Sequence, residues 1–152
     1  MPGYGIVGPD EGTGLLPWSW AVSRLEASHD YWLATQWPEG RPHVMPVWGI
    51  WASDALWFSC SPAARKARNL AVHPRAVATT DNALQPVIVE GDSERVTEAA
   101  AIATFTDQVN AKYASDYTVD FFGDNALFVL RPVWAFGLTD GDFAGSPTRW
   151  SW

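Results

Sequence analysis

The chain of 152 residues contains few of the residues and patterns that mark several common classes of protein. Cys60 is its only cysteine, which excludes an intrachain disulfide and a cysteine-based metal cluster. Its histidines, at positions 29, 43 and 73, lack the spacing of metal ligands, so we predict no metal site. No apolar run is long enough to cross a membrane, and Asp10 and Glu11 interrupt any secretory signal pattern. We therefore expect a soluble cytoplasmic protein.

Positive charge is also scarce, with 10 basic residues against 17 acidic ones and a net charge of −7. This balance argues against nucleic-acid binding, which needs a basic face. Hydrophobic residues make up 47% of the chain, which is enough for a packed core. The ten tryptophans fit packing in a core or a dimer interface, because aromatic side chains bury large areas. One or two of them could instead stack on a planar ligand.

Residues 1–14 are rich in glycine and aperiodic, and we interpret them as a flexible N-terminal arm. Residues 3–8 match the pattern GxGxxG, but no strand can precede them, so we reject a nucleotide-binding loop. Residues 15–152 are predicted to form one domain, since no repeat or linker divides them.

Within this domain the residue patterns predict strands separated by turns, with three helices inserted. Helices are expected from Pro17 to near His29, from an N-cap at Ser61 with Pro62 in the first turn, and after a cap at Thr97. The predicted strands are 31–35, 43–51, 56–60, 77–80, 86–96, 126–130 and 133–138. Sequential strands of this kind favour a mainly β fold of the α+β class, an antiparallel barrel or sheet with peripheral helices.

One stretch runs against the acidic character of the chain. Residues 55–80 contain no Asp or Glu, yet they hold Arg65, Lys66, Arg68 and Arg75 at and after a helix start. Free N–H groups and the dipole of a helix N-terminus favour an anion there. A solvated helix face whose cations pair with acids elsewhere explains these residues equally well.

The flanking residues favour the anion site. The strand HVMPVWGIW precedes the basic helix and Thr79-Thr80 follows it. A strand that carries proline and glycine beside aromatic residues can bring its backbone close to a flat ring system. A phosphate-binding helix next to such a surface is the pattern expected for a phosphorylated cofactor.

Six segments, in this order, resemble the pyridoxamine-phosphate-oxidase-like split β-barrel superfamily. They are RPHVMPVWGIW, LWFSCSPAARKARNL, PRAVATT, PVIVEGDSERVT, FFGDNALFVLRPVWAFGL and GSPTRW. Within that superfamily they are most similar to the B-type actinobacterial flavin/deazaflavin oxidoreductases, which use coenzyme F420. The resemblance extends from about residue 17 to the end of the chain. It implies a split β-barrel of the FMN-binding type, and a homodimer with the cofactor at the subunit interface.

The resemblance also implies which residues bind the cofactor. Arg65 and Lys66 would hold its phosphate, with Asn69 in support and Ser59 nearby. The segment 45–48 would lie against the ring system, and the threonine pair would reach the ribityl chain or ring edge. Trp150 would cover the site from the partner protomer. The implied set is Met45, Pro46, Val47, Trp48, Ser59, Arg65, Lys66, Asn69, Thr79, Thr80 and Trp150.

Two departures from the superfamily limit the functions that can be inferred. Arg149 stands alone where true pyridoxamine-phosphate oxidases carry a C-terminal arginine motif, so pyridoxal-phosphate synthesis is not expected. No proton donor can be recognised, which leaves the catalytic residues unassigned and solvent as the proton source.

The expected function is therefore that of an F420-dependent reductase, in which reduced deazaflavin passes hydride to an enone, a quinone or a tetrapyrrole-like molecule. The four basic residues at 55–80 suit the oligoglutamate tail of F420, which FMN lacks. An FMN-dependent reductase or oxidase on the same fold is the first alternative. A non-catalytic cofactor carrier and a haem-handling protein are the others.

Overall fold

A computed structural model describes residues 3–152, and in it seven strands form one antiparallel sheet. The strands are β1 (Asp30–Gln36), β2 (Pro42–Ala52), β3 (Ala55–Cys60), β4 (Arg75–Thr80), β5 (Val87–Val96), β6 (Ala126–Gly137) and β7 (Thr148–Ser151). Their order is β3-β2-β1-β4-β5-β6-β7, and an additional β3–β6 pairing closes the first six into a barrel. The predicted split β-barrel is confirmed, with β7 as an extra strand beside β6.

Helices flank this barrel. They are α1 (Trp18–Ala27), α2 (Arg65–Val72), α3 (Ala99–Tyr113) and α4 (Val119–Asp124), with a 3₁₀ turn at Asp140–Asp142. In the part of the chain that the structure describes, no helix combines the length and the apolar character needed to cross a membrane.

Two groups of buried side chains hold the elements together. Inside the barrel, alternate residues of β1 such as Tyr31 and Leu33 are buried, as the two-residue period of a strand dictates. The Tyr31 hydroxyl donates a hydrogen bond to the carbonyl of Leu25, which ties α1 to β1. A second group contains Phe105 and Phe122, and it fixes α3 and α4 against the barrel. This second group positions the helices that border the candidate site.

Glycine is required at two points where backbones come close together. A Cβ on Gly49 would lie 2.9 Å from a Leu56 methyl group and 3.1 Å from the Trp57 carbonyl oxygen, at the residue where β2 changes partner from β1 to β3. A Cβ on Gly91 would overlap the Arg131 carbonyl, at the point where the pairing passes from Trp134 to Pro132 and leaves a bulge in β6.

The structure corrects three local predictions. Residues 126–130 and 133–138 form one strand rather than two, because Pro132 pairs with Gly91 next to the bulge in β6, where a missing N–H is tolerated. Residues 61–64 form a turn closed by the Ser61 carbonyl, so α2 begins at Arg65 and not at Ser61-Pro62. Thr97 does not cap α3, since Glu98 holds the N-cap position and no side chain caps it. The sequence interpretation also missed α4 and β7.

Residues 3–14 contain no helix or strand and lie against the loop that precedes β7. The Thr13 amide donates to Asp142 Oδ2 at 2.5 Å, and the Val7 amide donates to the Ala144 carbonyl at 3.1 Å. Residues 1–2 of the predicted arm lie outside the described residues. The flexibility of the arm stays a prediction.

Candidate functional site

A cleft of about 390 Å³ opens between β2, the β3–α2 turn and the helices α3 and α4. One end of it is polar and the other is aromatic. Its lining consists of Pro46, Val47, Trp48, Ser59, Cys60, Ser61, Ala64, Lys66, Phe105, Val109, Tyr117, Phe121, Phe122 and Asn125. The volume lies within the range of small-molecule sites.

The polar end combines hydroxyl groups with one cation. Ser59 ends β3, Ser61 lies in the following turn, and Lys66 is in the first turn of α2. Within residues 3–152, no carboxylate forms an ion pair with Lys66. A half-buried, unpaired ammonium group beside two hydroxyl groups can bind an anion such as a phosphate.

Two titratable groups respond to Lys66, namely Cys60 in the cleft lining and His43 on β2 outside that lining. The pKa of His43 lies below its ordinary value, first because of burial and then because of the cations Lys66, Arg65 and Arg41. The pKa of the Cys60 thiol is raised by burial, although Lys66 and a backbone hydrogen bond from Ala67 act in the opposite direction. Cys60 is therefore a protonated thiol at neutral pH and not an activated thiolate.

At the aromatic end, Trp48 stacks on Tyr113 with ring centroids 4.2 Å apart and planes within 5° of parallel. Tyr117 stacks on Phe121 at 4.5 Å, and Trp48 is 45% exposed. The arrangement presents an indole face that a second flat ring system can contact.

Hydrogen bonds hold this aromatic end in place. The Tyr113 hydroxyl accepts from the Gly49 amide at 2.8 Å and donates to the His29 carbonyl at 2.5 Å. Lys112 Nζ donates to the Gly49 carbonyl at 2.8 Å. Burial raises the pKa of Tyr113 to about 12, so its hydroxyl remains a donor at neutral pH. These contacts join α3 to β2 next to Trp48 and fix the orientation of the stacked pair.

Five residues of the predicted set line the cleft together. They are Pro46, Val47, Trp48, Ser59 and Lys66. Met45 is 44% exposed and neighbours them on β2. The sequence interpretation thus located the β2 wall and the cation of this cleft.

The other members of the predicted set lie outside the cleft. The Arg65 guanidinium covers the ring of Trp37 at 3.5 Å. Asn69 is completely buried, and its Nδ2 donates to Thr35 Oγ1 at 3.0 Å. Because of that burial, Asn69 supports the position of α2 from within the fold.

The predicted residues of β4 and β7 are also elsewhere in the structure. The Thr80 hydroxyl accepts from the Val87 amide at 3.1 Å, and Thr79 pairs with Trp32. The ring of Trp150 packs on Trp18 of its own chain at 5.4 Å. For Thr79, Thr80 and Trp150, contact with a cofactor stays a prediction.

The sequence interpretation missed the wall formed by α3 and α4. Phe105, Val109 and Tyr113 belong to the helix that is predicted after Thr97, but nothing in the residue pattern indicates that this helix borders a site. Tyr117, Phe121 and Asn125 follow in a segment rich in aromatic residues. The aromatic composition of this segment is the one sequence feature that could have indicated its role in the site. Its orientation toward the cleft depends on the packing of Phe122 against Phe105, which the sequence does not show.

The barrel and its cleft define a split-barrel protein of the class that binds flavin-type cofactors, a class that includes oxidoreductases. Residues 21–138 match the family model described as pyridoxamine 5'-phosphate oxidase, and the chain belongs to that family. A search of curated proteins finds no match.

Solved structures of several kinds resemble this one. An F420 reductase is 27% identical, with a TM-score of 0.62, over 74% of this chain and 93% of that one. An FMN-binding protein related to pyridoxamine 5'-phosphate oxidase, from Nostoc punctiforme, is 17% identical, with a TM-score of 0.66, over 93% and 99% of the two chains. The haem storage protein HutZ from Vibrio cholerae is 19% identical, with a TM-score of 0.58, over 72% and 85%. At these identities the last two matches carry information about the fold alone.

Proposed function

We propose that this protein is an F420-dependent reductase that acts on an electron-poor small molecule such as an enone, a quinone or a tetrapyrrole. The observation that carries the proposal is the polarity of the cleft, which places Lys66 and two serine hydroxyls at one end and the Trp48–Tyr113 stack at the other. The similarity to an F420 reductase at 27% identity supports it. When bound, a reduced deazaflavin supplies the hydride, and the protein supplies binding and orientation.

The residues of the polar end suit a phosphate group. Lys66 would neutralise its charge, and Ser59 would donate a hydrogen bond to it. Arg65 stacks on Trp37 and lies between the cleft residues Ala64 and Lys66 in the sequence, so it would contact the more distant anionic part of the cofactor. A cation placed for a distant anionic group favours F420, which carries an oligoglutamate tail, over FMN, which lacks one.

The aromatic end suits a flat ring system. Trp48 would lie against the rings, while Tyr117 and Phe121 of the α3–α4 segment would exclude water above them. Cys60 is the thiol in this lining, and its raised pKa makes a thiolate role unsuitable. Protonation of the reduced product is therefore assigned to solvent.

We further propose a homodimer in which a second copy completes the site. The outer face of the barrel supports this, because Trp32 is 47% and Val44 is 51% exposed on adjacent strands. Apolar residues grouped on one sheet face are typical of an interface. A cytoplasmic location stays a prediction from the sequence.

The decisive experiment is a parallel titration of the purified protein with F420 and FMN, preceded by an absorption spectrum of the protein as isolated. Saturable F420 binding with weak or absent FMN binding is expected. Stoichiometric FMN with no F420 binding would overturn the choice of cofactor, and the similarity in fold to an FMN-binding protein makes that outcome the specific alternative. Turnover against enones, quinones and tetrapyrroles then separates a reductase from a carrier, which would bind the cofactor without turnover.

Lys66→Ala tests the polar end directly. Loss of a charge-assisted contact should weaken cofactor binding by about 1–3 kcal/mol, or roughly five- to 150-fold. The matched control is Arg131→Ala, which removes an exposed cation that does not line the cleft. Unchanged affinity in Lys66→Ala would mean that the phosphate lies elsewhere.

A further inference from the structure

A second cavity, of about 360 Å³, lies against a different face of α2 from the one that carries Lys66. Leu70 of α2 and Phe128 of β6 contribute apolar walls to it. Its polar lining consists of Arg68, Ser93 and Arg95. None of these three residues lines the cleft described above, so this cavity, here called the arginine cavity, is a separate feature of the fold.

The two arginines of this cavity lack acidic partners. In the described part of the chain, neither Arg68 nor Arg95 forms an ion pair or a side-chain hydrogen bond to a carboxylate. Other arginines near β5 form ion pairs. Arg75 pairs with Asp92 at 3.0 Å, and Arg131 pairs with Glu94 at 3.9 Å. Because residues alternate between the two faces of a strand, Arg95 lies on the opposite face of β5 from Asp92 and Glu94.

Ser93 adds an unsatisfied hydrogen-bonding group to the same cavity. Its side chain lies on the same face of β5 as Arg95 and is only 9% exposed, and its Oγ atom has no hydrogen-bond partner among residues 3–152. A buried hydroxyl group is costly unless something pairs with it. A ligand oxygen held by the two guanidinium groups would provide that partner.

We propose that the arginine cavity binds a small anion with a carboxylate or phosphoryl head and a compact apolar body. Guanidinium groups match the planar geometry of carboxylate and phosphoryl oxygens, which accounts for the head. Leu70 and Phe128 account for the apolar body, and the volume suits a ligand no larger than a substituted single ring. The site does not depend on the identity of the cofactor in the first cleft.

The test is an amide-resolved NMR titration of the full-length protein with phenyl phosphate, benzoate and the neutral analogue benzyl alcohol. Saturable shifts at the amides of Ser93, Arg95 and Ala126 are expected with the two anions, at affinities of about millimolar or better. Benzyl alcohol should bind at least about tenfold more weakly, since it lacks the charge that the arginines bind. Equal shifts with all three probes, or none at these amides, would overturn the proposal.

Variants separate this site from the first cleft. Arg95→Gln removes one exposed cation, so the fold should be kept, and it should weaken phenyl phosphate binding by about fivefold or more. Ser93→Ala should weaken binding without lowering the stability of the protein, because the lost hydroxyl is unpaired. Lys66→Ala should leave the shifts at Ser93 and Arg95 intact. Loss of those shifts in Lys66→Ala, with retention in Arg95→Gln, would place the anion in the first cleft instead.

Discussion

Lys66 provides the positive charge at the polar end of the cleft, and its charge also acts on His43 of β2, which lies outside the cleft lining. Partial burial and then the cations of Lys66, Arg65 and Arg41 keep the pKa of His43 low, so its imidazole is neutral at neutral pH. The positive charge offered to an anion therefore comes from the lysine and the arginines. Because the pKa is lower in the folded than in the unfolded chain, the unfolded chain binds this proton more readily. The contribution of neutral His43 to the free energy of unfolding is therefore complete above its unfolded pKa of about 6.5. It decreases as the pH falls from that value through the lower pKa of the folded chain.

Lys66→Ala should raise the pKa of His43, because it removes the strongest of the cations that oppose protonation of the imidazole. An NMR titration of the His43 ring protons measures the change. Arg131→Ala is the control and should leave the His43 titration unaltered, since Arg131 is not among the cations acting on it. A His43 pKa that is the same in wild type and Lys66→Ala would contradict the placement of the ammonium group at this end.

Among the elements, α3 is joined to β2 by the Tyr113 hydroxyl as well as by Lys112. Tyr113→Phe keeps the ring stacked on Trp48 but leaves the Gly49 amide and the His29 carbonyl without this partner. The expected cost is about 1–3 kcal/mol in the free energy of unfolding, measured by chemical denaturation. Tyr4→Phe provides the matched control, because Tyr4 is 63% exposed and its hydroxyl makes no hydrogen bond within residues 3–152. Equal stability of the two variants would show that the Tyr113 hydroxyl contributes nothing to the junction.

The bulge between β5 and β6 gives a second prediction at this scale. Gly91→Ala should destabilise the protein by about 1–3 kcal/mol, because its Cβ would overlap the Arg131 carbonyl and the backbone must move. Gly123→Ala in α4 is the control, since a Cβ there meets nothing within 4 Å, and alanine should raise stability by about 0.5–1 kcal/mol. Thermal unfolding of both variants checks the pair. Unchanged thermal stability in Gly91→Ala would mean that the bulge tolerates a side chain.

The elements that could be predicted from the sequence are those whose signal is local. Alternating burial along β1 and turn residues around β2 predict these strands within one or two residues. The sequence predicts a break in β6 at Pro132. The bulge that accommodates this proline depends on pairing with Gly91, which lies 41 positions earlier in the chain and is not linked to it by any local pattern. The length of α2 was overestimated for a related reason, since Ser61-Pro62 has the composition of a helix start but forms a turn.

The same difference between local signals and contacts of distant residues applies to the site. Lys66, Trp48 and Ser59 lie on elements that the sequence interpretation identified, and the cleft brings them together. Tyr117 and Phe121 could not be assigned to it, because their position depends on how the α3–α4 segment folds over the barrel. Arg65 shows a further limit, since its stacking on Trp37 involves a residue 28 positions away that no periodicity links to it.

For the molecule as a whole, positive charge is concentrated in one region of an otherwise acidic chain. The chain carries a net charge of −7, whereas residues 55–80 carry four cations and no acid. An anionic ligand is repelled by the overall charge and attracted by this one region, so binding should be sensitive to ionic strength. The apolar outer face of the barrel is the other distinct surface, and it lies on β1 and β2 beside the Pro46 and Trp48 wall of the cleft.

Trp32→Glu tests the proposed dimer through that face. A charge at the centre of an apolar interface should prevent association, so sedimentation should show a mass near twice 16.7 kDa for the wild type and a single chain for the variant. Leu84→Glu is the matched control, because Leu84 is 63% exposed and lies outside the paired strands. A wild-type monomer, or a variant that still dimerises, would contradict an interface on this face.

The same variant also tests whether a second copy completes the cleft. Pro46 pairs directly with Trp32 across β1 and β2, so an interface at Trp32 lies next to the β2 wall of the cleft. If the partner contributes to the site, monomeric Trp32→Glu should bind the cofactor at least about tenfold more weakly than wild type, although Lys66 and Trp48 are unchanged. Leu84→Glu should bind it normally. Full cofactor affinity in a monomeric Trp32→Glu would mean that one chain forms the whole site, and Trp150 would then have its role only within its own chain, against Trp18.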